Sequence, residues 1–149
     1  MHQHYHHVII GGGIAGVTAA ETIREHNADV HIAVIEAEPH VLYSRVLLPA
    51  YLKGRIARQK LFLRTAQDFT EKKIDFHHEE TVVSLDAAHK EVTLAHGKTI
   101  GYDKLLLASG GHAKEWGKPE DQHMIYRLQT LDDADRLFAV LPSLHNPLV

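Results

Sequence analysis

Val8-Ile9-Ile10-Gly11-Gly12-Gly13-Ile14-Ala15-Gly16-Val17-Thr18-Ala19-Ala20 is the stretch on which the fold turns. A short apolar run leads into glycines at 11, 13 and 16, and a helix-favouring segment follows without a break. The pattern is G-x-G-x-x-G, which acquires meaning only in this strand-then-helix setting. Gly11 permits a tight turn out of the strand. Gly13 lets the backbone approach a pyrophosphate, and Gly16 lets the new helix pack on the sheet. The amides and positive end of that helix then face the phosphates. The alternative is a flexible glycine loop joining a strand to a helix.

Working outward, Val17, Ala20 and Ile23–Arg24 repeat near a 3.6 period and predict a helix from Val17 to about Glu25. It ends in the turn-prone H-N-A-D. The β-branched run Val30 to Glu36 follows and closes on a carboxylate. Glu36 lies about 20 residues beyond Gly16, where the fingerprint expects an acid to bond an adenosine ribose hydroxyl. Strand, glycine turn, helix, strand and terminal acid make one βαβ unit, and the right-handed crossover rule makes its strands parallel neighbours.

The bulk properties narrow the class. A chain of 149 residues, 44% hydrophobic and 23% charged, fits one soluble globular domain with a sizeable core. A net charge of −3 without a long basic run gives no nucleic-acid footprint. The absence of cysteine excludes a disulfide framework, a thiolate metal site and a redox-active cysteine pair. No apolar run reaches the roughly 18 to 20 residues of a membrane span. The start, M-H-Q-H-Y-H-H, lacks the charged and apolar regions of a secretion signal, so a cytoplasmic location is the expectation. His2, His4, His6 and His7 crowd that start, among 14 histidines in all. Imidazoles can hold a metal, but residues 1–7 are read as a solvated His-rich tail and no metal site is expected.

Beyond Pro39 the pattern leaves that of a plain dinucleotide domain. Tyr43 to Gly54 reads as a loop and a short apolar helix, and Leu61 to Ile74 as a second amphipathic helix capped by Thr65. Alternation in Thr81–Asp86 and Glu91–Ala95 predicts two strands, with Thr99–Ile100 as a third, forming a small antiparallel meander beside the parallel sheet. Tyr102-Asp103-Lys104-Leu105-Leu106-Leu107-Ala108-Ser109-Gly110-Gly111 then supplies a leucine run suited to a central parallel strand covered on both faces. Small residues at its end let something approach the backbone, although A-S-G-G is equally a simple turn. A final helix is predicted over Leu131 to Leu141.

Three segments in this order resemble the amino-terminal part of the FAD-dependent pyridine nucleotide–disulfide oxidoreductases: the G-x-G-x-x-G with Glu36, Y-S-R-V-L-L-P-A-Y-L-K-G, and Y-D-K-L-L-L-A-S-G-G. Within that group the likeness is to NADH:rubredoxin reductases, ferredoxin reductases and nitrite reductase large subunits. In the third segment Ser109 replaces the usual Thr and keeps its hydroxyl. The resemblance implies an α/β, Rossmann-like three-layer FAD/NAD(P)-binding fold with a central parallel sheet and the small meander, incomplete in this chain. It divides the chain into the tail at 1–7, a first FAD-binding segment at 8–115, and a linker and helix at 116–149.

The resemblance also implies roles. Gly11, Gly13, Ile14, Ala15 and Gly16 would wrap the FAD pyrophosphate, with Glu36 and the adjoining Ala37 at the adenosine ribose. Arg45 would stand near the flavin and its phosphates, with an exposed loop arginine as the alternative. Pro49 would lie at the isoalloxazine edge. Val82 would contact adenine or serve as a core valine. Ala108, Ser109 and Gly110 would pass the adenosine–pyrophosphate side, and Arg127 would reach FAD or remain a surface arginine. Relatives that reduce disulfides carry a cysteine in a C-x-L-P context where this chain has Val46. The implied chemistry is therefore cysteine-independent: a hydride passes from NAD(P)H to the flavin and electrons go on to a protein or small acceptor, with no catalytic side chain nominated. The cofactor carries such chemistry while the protein sets position and electronics.

In that family an NAD-binding domain with its own glycine fingerprint begins just past Val149, and N-P-L-V resembles the entry into its first strand. The expectation is thus a piece of a longer enzyme, inactive alone and weak in FAD affinity. A rubredoxin- or ferredoxin-like partner would want a basic docking face, for which Arg55, Arg58, Lys60 and Arg64 are candidates; a solvated helix rim explains them equally. A non-catalytic FAD or ADP-ribosyl-binding module is the alternative function.

Overall fold

Strand β1 (Gln3–Ile10) enters the glycine turn, and helix α1 (Ile14–His26) leaves it toward β2 (Ile32–Ile35). The computed structural model describes residues 3–114, 117–118 and 125–143. After β2 come a short α2 (Leu48–Leu52) and α3 (Ala66–Glu71), then β3 (Ile74–His77), β4 (Val82–Asp86), β5 (Glu91–Leu94) and β6 (Thr99–Leu107). Helix α4 (Leu131–Val140) closes the described chain, followed by a 3-10 turn at Leu141–Ser143.

The six strands form one sheet in the order β3-β2-β1-β6-β5-β4. Strands β1 and β2 are parallel neighbours, with Ile9 opposite Val34, as the βαβ reading requires. β6 runs parallel to β1 and antiparallel to β5, so it joins the parallel half to the β4–β5–β6 meander. The predicted third meander strand and the predicted leucine strand are therefore one continuous element.

Residues fall into two compact units: Met1–Tyr43 with Arg64–Gly110, and Ser44–Leu63 with Gly111–Val149. The first holds the sheet, α1 and α3. Its core has two clusters. One packs Tyr5, Val8, Ala33 and Ile35 with the meander residues Val92, Leu94, Ile100 and Tyr102. The other seats Val17 and Ala20 of α1 and Phe69 of α3 against Ile9, Ile32, Val34 and Ile74. Each fully buried large aliphatic side chain there contributes about 1.5–3 kcal/mol by leaving water. In the second unit, Leu48, Leu61, Leu131 and Ala134 are buried and Tyr51 stacks on Phe138, with ring centroids 5.3 Å apart.

Three further expectations change. The segment read as a solvated tail supplies strand residues from Gln3, because its apolar partners and backbone pair with β6 from Ile100 onward. His4 Nε2 meets Asp103 Oδ1 at 2.9 Å and His6 Nδ1 accepts from the His31 amide at 2.8 Å. Among the described residues no group of three or more His, Asp or Glu side chains could hold a metal ion. The long helix over Leu61 to Ile74 shrinks to six residues, and Ile74 opens β3, parallel to β2. Thr65 does cap it, in a reciprocal box with Asp68. Finally, β6 is central but not covered on both faces along its length: Leu106 is 39% and Leu107 63% exposed. The N-P-L-V stretch and most of residues 115–124 lie outside the described residues.

Candidate nucleotide-binding site

The glycine turn is shaped by what lies against it. Gly11 has φ +111°, a conformation only glycine adopts cheaply, and its amide donates to the Ile35 carbonyl at 2.8 Å. A side chain there would be driven into the Ala108 carbonyl and the Ser109 amide at the end of β6. A Cβ on Gly16 would strike the Gly11 carbonyl oxygen, which is how α1 comes to lie directly on the turn. Gly13 differs: a Cβ there would meet nothing within 4 Å. That open side, above the first turn of α1, is where the backbone can be approached.

The start of α1 is electrostatically available. Its N-cap, Gly13, offers no side-chain acceptor, and no acid stands in the first turn. Helices α3 and α4 instead carry Thr–Asp capping boxes, Thr65–Asp68 and Thr130–Asp133. The amides of α1 thus keep the partial positive charge that attracts an anion. Ile14 and Ala15 are exposed beside them.

Glu36 follows the last residue of β2. Its Oε2 accepts from the Gly12 amide at 2.5 Å and its Oε1 from the Glu38 amide at 2.9 Å. Ala37 between them is exposed. The Tyr43 hydroxyl donates to Glu38 Oε2 at 2.6 Å, securing the turn after the acid. Ala108 donates its amide to the Ile10 carbonyl at 2.8 Å, and Ser109 and Gly110 follow exposed, Gly110 at φ +67°. The turn, Glu36 and the strand end Ala108–Ser109 therefore converge at the carboxyl ends of the parallel strands β1, β2 and β6. Val82, half-buried at the start of β4, packs on the core cluster of the meander.

Of the remaining sequence-predicted residues, Arg45, Pro49 and Arg127 belong to the second unit. Arg45 is exposed and donates from Nη1 to the Gln129 carbonyl at 3.1 Å. Val46 is 87% exposed and Pro49 is exposed at the start of α2. Arg127 is exposed ahead of α4. Two of the four candidate docking cations are engaged in ion pairs: Arg58 with Asp135 at 2.9 Å and Arg64 with Glu21 at 2.7 Å. Sequence reasoning missed Gly12, Glu38, Phe76 and Gln129. Only the extra glycine in G-G-G was a local signal. Gln129 bridges backbone of Gly111 and Ala113, the latter amide donating to Oε1 at 2.7 Å, a contact across sixteen residues that no spacing announces.

A strand–glycine turn–helix cradle with a fixed acid at the next strand's end, in a mixed sheet that ends in a meander, defines a Rossmann-like dinucleotide-binding oxidoreductase fold. The chain belongs to the pyridine nucleotide-disulphide oxidoreductase family, whose model matches residues 5–145. It is 32% identical over 136 residues to the NADH-dependent phenylglyoxylate dehydrogenase subunit epsilon of Aromatoleum evansii, covering 91% of this chain and 32% of that protein. The crystal structure of NADH:rubredoxin oxidoreductase from Clostridium acetobutylicum matches with a TM-score of 0.84 at 25% identity, over 95% of this chain and 36% of that one. A ferredoxin reductase from Rhodopseudomonas palustris matches with a TM-score of 0.84 at 30% identity, over 93% of this chain and 35% of that one. The chain thus spans about a third of the length of these relatives.

Proposed function

We propose that the chain is the FAD-binding part of a cysteine-independent NAD(P)H:acceptor oxidoreductase. The observation that carries this reading is the convergence of the Gly11–Gly16 turn, Glu36 and the Ala108–Ser109 strand end at the carboxyl ends of the parallel strands. The residues present fit the group. Gly13 leaves the cradle open, the amides of α1 carry no competing cap, and Glu36 presents a fixed acceptor. When bound, FAD supplies the two-electron chemistry, taking a hydride from a reduced nicotinamide and releasing electrons to an acceptor.

The chain's own residues then have distinct tasks. The amides at the start of α1 hold the pyrophosphate by charge-assisted hydrogen bonds. Glu36 and Ala37 receive the adenosine ribose, and Ala108, Ser109 and Gly110 flank the adenosine–pyrophosphate side, with Val82 toward adenine. Arg45, Pro49 and Arg127 enter as FAD contacts through the family resemblance. No side chain here donates or removes a proton in the hydride step, and without cysteine the chain supplies no thiol of its own. We place electron delivery to a protein acceptor, of the rubredoxin or ferredoxin kind named for the relatives, in the same proposal. Arg55 and Lys60 are exposed cations suited to an acidic carrier, whereas Arg58 and Arg64 are already paired.

Titration of the apo-protein with FAD tests the reading through the flavin absorbance and the quenching of its fluorescence. Saturable binding that is weakened at least tenfold in Glu36→Ala supports it. A response to NADH with none to FAD would sink it.

A further inference from the structure

Glu36 does not hold its carboxylate in place unaided. Behind it stands Phe76, the third residue of β3, whose backbone pairs with Val34 of β2. The tip of the Phe76 ring, Cζ, lies 2.6 Å from the position a Cβ on Gly12 would take, and Glu36 Cβ lies 3.0 Å from it. The ring is in turn backed by Phe69 of α3, centroid to centroid 4.4 Å at 32°. The backbone of Glu36 is tied on both sides of its peptide: its amide donates to the His77 carbonyl at 2.8 Å and its carbonyl accepts from the Glu80 amide at 3.0 Å. The acid therefore rides on the β3 segment as well as on β2.

The geometry has a steric logic. The Gly12 amide reaches Glu36 Oε2 only because residue 12 carries no side chain, and the space a side chain would need is filled by the Phe76 ring tip. Aromatic packing on Phe69 keeps that tip from swinging away. With each carboxylate oxygen holding one backbone amide, each retains lone-pair capacity for a hydroxyl donor. Fixed this way, the acid is ready for a vicinal diol without reorganising, and groups held within fractions of an ångström discriminate best.

We propose that Phe76 and Gly12 are a positioning pair that fixes Glu36 for the ribose 2′-hydroxyl of an adenosine diphosphate ligand. The inference rests on the reading of Glu36 as the ribose acid. Its action runs from Phe69 through Phe76 to Gly12 and Glu36, so Phe76 acts on the ligand without touching it.

The test compares binding of ADP and 2′-deoxy-ADP to the full chain by calorimetry. The wild type is expected to favour ADP by about tenfold, the equivalent of roughly 1.4 kcal/mol. Phe76→Leu keeps an apolar side chain for the core but lacks the ring tip; its preference should fall to about threefold or less. Gly12→Ala should lose the preference, and adding Phe76→Leu to it should restore part, since the obstacle to the new methyl is gone. A loss of stability alone would weaken both ligands equally and leave the ratio near ten. An unchanged ratio in Phe76→Leu, or a double variant no better than Gly12→Ala, overturns the positioning role while leaving the FAD reading standing. A wild type that binds FAD without preferring ADP over 2′-deoxy-ADP overturns the role given to Glu36 and this inference with it. Failure of the wild type to bind either FAD or ADP overturns the proposed function itself.

Discussion

Arg64 grips Glu21 with two nitrogens, Nε on Oε1 at 2.7 Å and Nη2 on Oε2 at 2.9 Å. Lys72 adds a third donor at 2.8 Å to Oε1. Glu21 sits in the middle of α1 and Lys72 at the end of α3, so the cluster joins the helix that leaves the glycine turn to the helix that precedes β3. Its side chain is only 13% exposed. The Arg64 hydrogen bond, assisted by Lys72 and opposed by burial, pulls the Glu21 carboxyl down to about 2 from an ordinary 4.5.

Glu21→Gln should therefore cost about 2 kcal/mol of stability at neutral pH, since two cations lose their charged partner in a partly shielded site. The sign with pH follows from the depressed value. Stability from this group is fully present above pH 4.5 and is lost as the solution is acidified from there toward pH 2. Urea denaturation at pH 7 and pH 3 checks it: the gap between wild type and Glu21→Gln should narrow at the lower pH. Equal gaps at both pH values would contradict the ion-pair origin.

The three fingerprint glycines should not fail alike. Gly16→Ala drives a methyl into the Gly11 carbonyl and should destabilise the chain by about 3 kcal/mol or more. Gly13→Ala meets nothing in the protein and should leave thermal stability within about 0.5 kcal/mol. Its effect belongs to the ligand: FAD affinity should drop at least tenfold as the methyl intrudes on the pyrophosphate. Melting curves paired with FAD titrations separate the two outcomes.

Asp135 in α4 accepts from the Tyr51 hydroxyl at 2.8 Å and from Arg58 Nε at 2.9 Å. Burial first, and the Asp135 hydrogen bond second, hold the Tyr51 hydroxyl above the ordinary phenol range. Asp135→Asn should lower the alkaline midpoint of one tyrosine in an ultraviolet titration. It should also cost about 1 kcal/mol, since α2 loses a charged tie to α4. A titration curve superimposable on that of the wild type would contradict the assignment.

Removing the caps should be felt locally. Thr65→Ala and Thr130→Ala each delete the acceptor for an N3 amide and should cost about 1 kcal/mol apiece. Their separation in the chain makes the two losses additive in a double variant, to within about 0.5 kcal/mol. Denaturant midpoints of the single and double variants measure both.

The βαβ unit, the glycine turn and the terminal acid were legible in the sequence because each is a local pattern. Alternation, a 3.6 period and glycine spacing are written into neighbouring residues, and the Thr65 segment likewise carries its cap within four positions. What is set at long range was not legible. Ile74–His77 is too short to announce a strand beside an amphipathic helix, and it becomes β3 only by pairing with β2. Residues 3–7 read as a polar tail until β6 supplies partners for their backbone. The fusion of two predicted strands into β6, the engagement of Arg58 and Arg64 in ion pairs, and the seat of Phe76 beneath Gly12 each join residues 40 to 97 positions apart or depend on such a joining. The sequence alone determined where the glycine turn and the acid that follows β2 fall in the chain. Only the tertiary structure decided how Glu36 is held beside that turn, because that depends on packing from a strand and a helix far along the chain.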